Sequence, residues 1–166
     1  MMNMKNALNS ICFICMIFFL GACSTHLKEI NIVSEKPGPT ILIAGDSSSF
    51  KDKVRERIIE KYKPTCTIHV VNVADLKEKT ADSYDVVLIM DTCMAWSSFN
   101  PSLKAFMDSE ENRKKTVLSM TAGDPDWTYS YKGVDAITSA SRVAKEDDFF
   151  NRIDKDIERV LALAKQ

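Results

Sequence analysis

The sequence is poor in the side chains that build metal and hydrolytic sites. It contains two histidines, His26 and His69, of which the first precedes the predicted domain and the second lies within a predicted strand. No CxxC pair or Cys/His cluster remains once the N-terminal apolar segment is removed, so a metal site is not expected. No Ser-His-Asp set or carboxylate pair indicates a hydrolase.

An excess of positive charge is also missing. Lys and Arg number 22 against 23 Asp and Glu, and the formal net charge is −1 at pH 7. Proteins that bind nucleic acid usually carry clustered Lys and Arg residues, and no such cluster occurs here. The sequence therefore predicts no nucleic-acid partner.

No apolar run is long enough to span a bilayer comfortably. The longest, ICFICMIFFL at 11–20, has about half of the roughly 20 residues that a spanning helix needs. Lys5 precedes it and the small residues Gly21 and Ala22 follow it, which is the pattern of an export signal. The alternative is an uncleaved signal anchor, which the shortness of the run disfavours.

The end of this segment, LGAC, resembles the lipobox of bacterial lipoproteins. The resemblance implies cleavage before Cys23, lipidation of its thiol and attachment of the mature chain to a membrane by acyl chains. Ser24 at the next position favours the outer membrane, facing the periplasm, in a cell that has one. We therefore expect a signal peptide at 1–22, a lipidated tether at 23–39 that ends in Pro-Gly-Pro, and a folded domain at 40–166.

The domain alternates between β-branched apolar runs and amphipathic segments. Val54, Ile58 and Tyr62 recur at four-residue spacing in one of these segments, and the long last helix is predicted to carry one apolar stripe, made of Phe149, Ile153, Ile157, Val160, Leu161 and Ala164. TILIAG, TIHVVNV, YDVVLIMD and KTVLSMTAG predict four buried strands, and GVDAI predicts a short fifth. Strands alternating with helices favour an α/β fold with a three-layer parallel sheet, which we expect in the order 2-1-3-4-5. In that order Cys66 and Cys93 lie too far apart to form a disulfide, and a ligand would lie at the carboxyl ends of the strands.

Three segments at those ends resemble the flavodoxin-like family. TILIAGDSSSFKDKV resembles its phosphate loop, YDVVLIMDTCMAWSSFNPSLKAFMD a loop that flanks the flavin, and KKTVLSMTAGDPDWTYSY the fourth strand and its loop. The resemblance implies a bound FMN and electron transfer with a redox partner protein. The residues it assigns to FMN are Ser47, Ser48 and Ser49 at the phosphate, Trp96 on one side of the ring with Trp127, Tyr129 or Tyr131 on the other, and Thr121 and Gly123 at the end of strand 4.

The same residues admit other interpretations. The loop lacks the usual glycine and late threonine, Asp46 and Asp91 would repel a phosphate, and the serines also suit a turn that caps a helix. The aromatic residues also suit simple packing. Asp46, Asp91, Thr121 and Lys145 together resemble the phospho-acceptor pocket of receiver domains, although one carboxylate of the usual first pair and the usual Lys-Pro are missing.

The heptad DAITSAS at 135–141 resembles a second motif, Asp-x-x-[Ser/Thr]-[Gly/Ser]-Ala-[Ser/Thr]. It occurs in exported proteins to which an extracytoplasmic flavin transferase attaches FMN covalently. The resemblance implies that Ser141 takes the FMN phosphate as a phosphoester and that Asp135, Thr138 and Ser139 fill the other positions. The alternative is an edge strand, VDAI, followed by a turn, TSAS.

Together these features predict a membrane-anchored, extracytoplasmic flavodoxin-like protein that binds FMN and transfers electrons. The FMN is held on Ser141 or, in the second version, non-covalently at the serine loop. The alternative from another class is a flavin-free binding or scaffold domain that uses its aromatic residues for a partner.

Overall fold

The computed structural model describes residues 27–93, 99–124 and 128–164. The strands are β1 (Ile30–Ile32), β2 (Thr40–Gly45), β3 (Thr67–Asn72), β4 (Val86–Thr92), β5 (Thr116–Ala122), β6 (Ser130–Tyr131), β7 (Val134–Asp135) and β8 (Ile137–Ala140). The α-helices are α1 (Ser49–Tyr62), α2 (Pro101–Met107), α3 (Glu110–Lys114) and α4 (Glu146–Leu163), with short 3₁₀ turns at Val73–Glu78, Ala81–Ser83 and Val143–Lys145.

The main sheet confirms the predicted α/β class. Its order is β1-β3-β2-β4-β5-β8, and all neighbours are parallel except β1 and β3. The whole sheet does not follow the predicted five-strand order 2-1-3-4-5, because it has a sixth strand. This strand, β1, is antiparallel and occupies the edge of the sheet beside β3. This strand, Ile30–Ile32, comes from the segment predicted as a tether, and its three mostly exposed residues lack the long apolar pattern of a buried strand.

The predicted last strand also differs from the observed one. Val134–Asp135 pairs with Ser130–Tyr131 in a separate hairpin, whose turn has positive φ angles at Lys132 and Gly133. Because the hairpin uses the first residues of GVDAI, the strand that joins the main sheet begins only at Ile137. Residues 138–140 thus belong to this strand and not to a turn.

The sheet separates two apolar layers. Along β4, Val86, Leu88 and Met90 join one buried cluster, and Val87 and Ile89 join the other. Successive side chains of a strand point to opposite faces, so a nearly continuous apolar run marks a strand covered on both faces. Each fully buried side chain of this size contributes about 2 kcal/mol of hydrophobic free energy.

Helices α1 and α4 cover the face of the sheet to which Val86, Leu88 and Met90 of β4 belong. The apolar residues predicted at four-residue spacing on α1, Val54, Ile58 and Tyr62, are buried. Of the stripe predicted on the last helix, Phe149, Ile153, Ile157 and Val160 are buried, Leu161 is partly buried and Ala164 is exposed. The two helices are joined through Asp154, which receives hydrogen bonds from Lys61 Nζ at 2.6 Å and from the Tyr62 hydroxyl at 2.8 Å.

Cys66 and Cys93 are both buried and form no disulfide with each other in the described part of the chain. Cys66 directly precedes β3 and Cys93 directly follows β4, so they lie at opposite ends of the parallel strands, as predicted. Within the described ranges, no helix is both long and apolar enough to cross a membrane.

Candidate functional site at the carboxyl ends of the strands

The candidate site is a shallow cavity at the carboxyl ends of β4, β5 and β8. Residues at this level are aligned across the sheet, since Thr92 pairs with Thr121 and Thr121 with Ser139. The cavity has a volume of about 300 Å³ and is lined by Thr92, Thr121, Ala122, Gly123, Ala140, Ser141 and Arg142. Sequence reasoning named Thr121, Gly123 and Ser141, and the fold brings these three together.

Ser141 is the first residue after β8, and it is exposed. The chain bends there, because the N–H of Arg142 donates to the Ala140 carbonyl at 2.7 Å. Gly123, which lines the same cavity, also borders open space, since a Cβ built on it would meet no atom of the described residues within 4 Å. The Ser141 hydroxyl is therefore accessible to another molecule.

The other residues of the heptad lie elsewhere. Ser139 is buried and its hydroxyl donates to the Ala140 carbonyl at 3.1 Å, whereas the carbonyl of Thr138 accepts from Arg152 at 2.6 Å. Asp135 lines a different cavity beside Thr116, at the amino end of β5. Six residues of extended chain span about 20 Å, so the structure does not bring Asp135 to Ser141.

The three serines after β2 surround the start of α1. Ser48 is the N-cap residue, and its hydroxyl accepts the N–H of Lys51 at 3.3 Å. The Ser47 hydroxyl donates to the Asp52 carboxylate at 2.7 Å, while Ser49 is exposed at the first helical position. Two of the three hydroxyls predicted to hold a phosphate thus have partners within the loop.

A buried lysine, to which the sequence analysis assigned no role, links the carboxyl ends of β2 and β4. Lys51 is 1% exposed, and its Nζ contacts the Asp46 carboxylate and donates to Thr92 Oγ1 at 2.6 Å. Thr92 Oγ1 is in turn 3.2 Å from Thr121 Oγ1. The spacing of Lys51 with Val54 and Ile58 places it on the buried stripe of α1, and that periodicity was the available signal.

Two further charged groups hold the loop after β2. Arg55 is buried, contacts the Asp52 carboxylate and donates to the Asp46 carbonyl at 3.3 Å. Lys51 and Arg55 therefore place two positive charges around Asp46 and Asp52. The negative charge of Asp46, one of the two carboxylates expected to repel a phosphate, is therefore offset by these side chains.

Asp91 precedes Thr92 near the end of β4. Its carboxylate is buried and accepts the N–H of Thr92 at 2.9 Å. Burial raises the pKa of the Asp91 carboxyl, and the nearby charge of Asp46 raises it further. The positive charge of Lys51 acts in the opposite direction but does not cancel the shift.

Three aromatic side chains that follow β4 and β5 in the chain pack against one another and against the second apolar cluster. The ring of Phe99 lies edge-on to Tyr129 at 4.3 Å and to Tyr131 at 4.9 Å between centroids. A hydrogen bond with Cys93, together with burial, raises the pKa of Tyr129 to about 12. Trp96, Trp127 and Cys23 lie outside the described residues.

The phospho-acceptor arrangement is present only in part. Asp46 is paired with Lys51, and Lys145 is exposed beyond β8. Among the described residues, no group of three or more His, Cys, Asp and Glu side chains could hold a metal ion.

No protein-family model and no curated protein sequence matches this chain.

Proposed function

We propose that this chain is an exported, lipid-anchored flavoprotein that carries FMN on Ser141 and transfers electrons at a membrane surface. The observation that carries the proposal is the accessible Ser141 hydroxyl at the edge of an open cavity. It stands at the last position of the heptad that resembles the flavin attachment motif.

Attachment requires a hydroxyl that a second enzyme can reach. The Ser141 oxygen would attack the FMN phosphorus of an activated donor, a phosphoric anhydride such as flavin adenine dinucleotide. The phosphoester bond forms while the anhydride bond breaks, the nucleoside monophosphate leaves, and the hydroxyl proton passes to a base of the flavin transferase. The buried Ser139 hydroxyl is not available for this attack.

The size of the cavity favours a covalent link over a non-covalent one. Small-molecule sites usually have volumes of about 300–1,000 Å³, and this cavity, at about 300 Å³, lies at the lower limit. It can hold part of a flavin but not enclose one, so a covalent bond would supply the retention that shape does not. Arg142 beside Ser141 suits the remaining negative charge of a phosphodiester. The flavin itself supplies the redox chemistry when bound.

The second candidate is a flavin-free binding or scaffold domain. It is favoured by the closed serine loop, in which Ser47 and Ser48 already have partners, and by the separation of Asp135 from Ser141. In that case the exposed edge of the sheet would contact a partner protein.

Intact mass separates the two candidates. The full chain is expressed with and without a flavin transferase, and we expect an added mass of FMN less one water only with the transferase. Ser141→Ala should abolish the added mass, while Ser141→Thr, which retains a hydroxyl, should keep it. Ser47→Ala is the matched control at the other serine site and should keep it as well.

Two results would contradict the proposal. An unchanged mass in every sample, with no flavin absorbance after dialysis, would leave the scaffold candidate. Flavin that is lost on dialysis and depends on Ser47 rather than Ser141 would indicate non-covalent binding at the serine loop.

A further inference from the structure

The direction of β1 determines where the N-terminal segment leaves the domain. In the antiparallel pair with β3, Ile30 lies opposite Val70 and Ile32 opposite Ile68. The chain therefore enters β1 from the carboxyl end of the parallel strands. An ion pair of 3.7 Å between Glu29 and Lys79 agrees with this, because Lys79 follows the turn that succeeds β3.

The chain before β1 is held close to the domain. Leu27 packs against the apolar cluster beneath α1 and α4, and Cys23 is four residues before it. A fully extended chain covers at most about 3.6 Å per residue, so four residues reach at most about 14 Å from Leu27. A lipid on Cys23 thus stays near the carboxyl edge, since the opposite edge is about 20 Å farther along the strands.

The same edge presents an apolar residue between two cations. Val143, just beyond Ser141, is 76% exposed, and the flanking Arg142 and Lys145 are exposed as well. Neither cation forms an ion pair with another described residue. The acidic residues that follow are each paired with a basic side chain, through the contacts Lys53–Glu146, Arg57–Asp147 and Arg152–Asp148.

An exposed apolar side chain flanked by unpaired cations suits the surface of an anionic bilayer. The apolar group enters the interface while the cations stay near the lipid head groups. Each cation near such a surface is attracted by about 1 kcal/mol. These residues lie about 24 Å from β1, which corresponds to five strand spacings.

We infer that one end of the sheet faces the membrane that holds the anchor. It is the carboxyl edge, the end at which the parallel strands terminate, and it carries Val143 and the Ser141 cavity. The inference rests on the proposed lipidation of Cys23. It deepens the proposed function, because a group on Ser141 would then exchange electrons with a partner that itself lies in the membrane.

A pair of labelled variants tests this orientation. Val33 is 72% exposed and follows β1 at the amino end of the parallel strands, so it is the matched control for Val143. Full-length Val143→Cys and Val33→Cys are expressed without a flavin transferase, acylated in cells and labelled with a fluorophore. Each is reconstituted in phosphatidylcholine–phosphatidylglycerol vesicles that contain a head-group nitroxide lipid. Wild-type protein, with Cys66 and Cys93 buried, gives the labelling background.

The expected result is strong nitroxide quenching at position 143 and none at position 33. Equal quenching, or stronger quenching at position 33, would overturn the orientation while leaving the flavin proposal intact. A mature chain without acyl mass would overturn it together with the proposed anchor. Flavin attachment is measured separately by mass, so the failure of either proposal is recognised by itself.

Discussion

At the scale of the residue, the burial of a charge explains the contacts between the carboxyl ends of β2 and β4. A buried lysine needs a partner, because an uncompensated charge in the interior costs several kcal/mol. Lys51 has two, the Asp46 carboxylate and the Thr92 hydroxyl. Asp46 is 38% exposed on its side chain, so water shares in its solvation.

Asp91 gives a prediction on pH dependence. Burial raises the pKa of its carboxyl above the ordinary 3.8. At pH values between 3.8 and the folded-state pKa, the folded chain therefore keeps a proton that the unfolded chain has lost. The free energy of unfolding then falls as pH rises from about 3.8 through the folded-state pKa. Asp91→Asn removes this loss and keeps an oxygen to accept the Thr92 N–H. We expect it to be more stable than wild type at pH 7, by a margin that shrinks toward pH 4.

Urea unfolding at a series of pH values from 4 to 7 measures this difference. Asp148→Asn, which removes an exposed carboxylate, is the control for the change in net charge. A constant difference between Asp91→Asn and wild type over the whole range would show that burial of the Asp91 carboxylate has no energetic effect.

At the scale of the element, β1 shows how a short strand joins a sheet. Ile30 and Ile32 point to the same face of the sheet, but only Ile32, at the end of the strand, is partly buried and packs against the cluster beneath α1 and α4, while Ile30 is 45% exposed. Three residues are too few to give a recognisable alternation in the sequence. Pairing with β3 supplies the hydrogen bonds that the segment could not make alone.

The two isoleucines of β1 allow a matched test. Removing buried methylene groups reduces stability, so Ile32→Ala should lower the free energy of unfolding by about 1–2 kcal/mol, given its partial burial. Ile30→Ala should lower it by less than about 0.5 kcal/mol. Urea unfolding of the full chain measures both, and equal effects would mean that Ile32 does not pack against the cluster beneath α1 and α4.

At the scale of the whole molecule, the sheet divides the core into two clusters that share no buried residue. Ile157 of α4 belongs to one and Ile89 of β4 to the other, and both are fully buried. Mutations at distant sites without shared neighbours add in their effects on stability. The two faces should therefore contribute independently to one cooperative transition.

The prediction is that Ile89→Val and Ile157→Val each lower the free energy of unfolding by about 1 kcal/mol. The double variant should then lose about 2 kcal/mol, with coupling below about 0.5 kcal/mol. Urea unfolding followed by both far-UV circular dichroism and fluorescence measures the loss and tests the single transition. A second transition, or a larger coupling, would mean that the two faces unfold separately or interact through the sheet.

The sequence by itself determined the α/β class, four of the parallel strands and the buried faces of α1 and α4, because long periodic apolar patterns reflect burial directly. It also indicated that Thr121, Gly123 and Ser141 share one edge, since parallel strands end at the same side of a sheet. The sequence pattern did not predict the shortest elements, which are the strand Ile30–Ile32 and the hairpin around Gly133.

Only the tertiary structure decided which polar groups meet. The contact of Lys51 with Thr92 joins residues 41 positions apart, and the pairing that separates Asp135 from Ser141 depends on how the hairpin and β8 divide one short segment. The antiparallel entry of β1 likewise follows from its register with β3. Such contacts join residues that are distant in the sequence. They form only when the whole chain has folded, so the local pattern around each residue does not predict them.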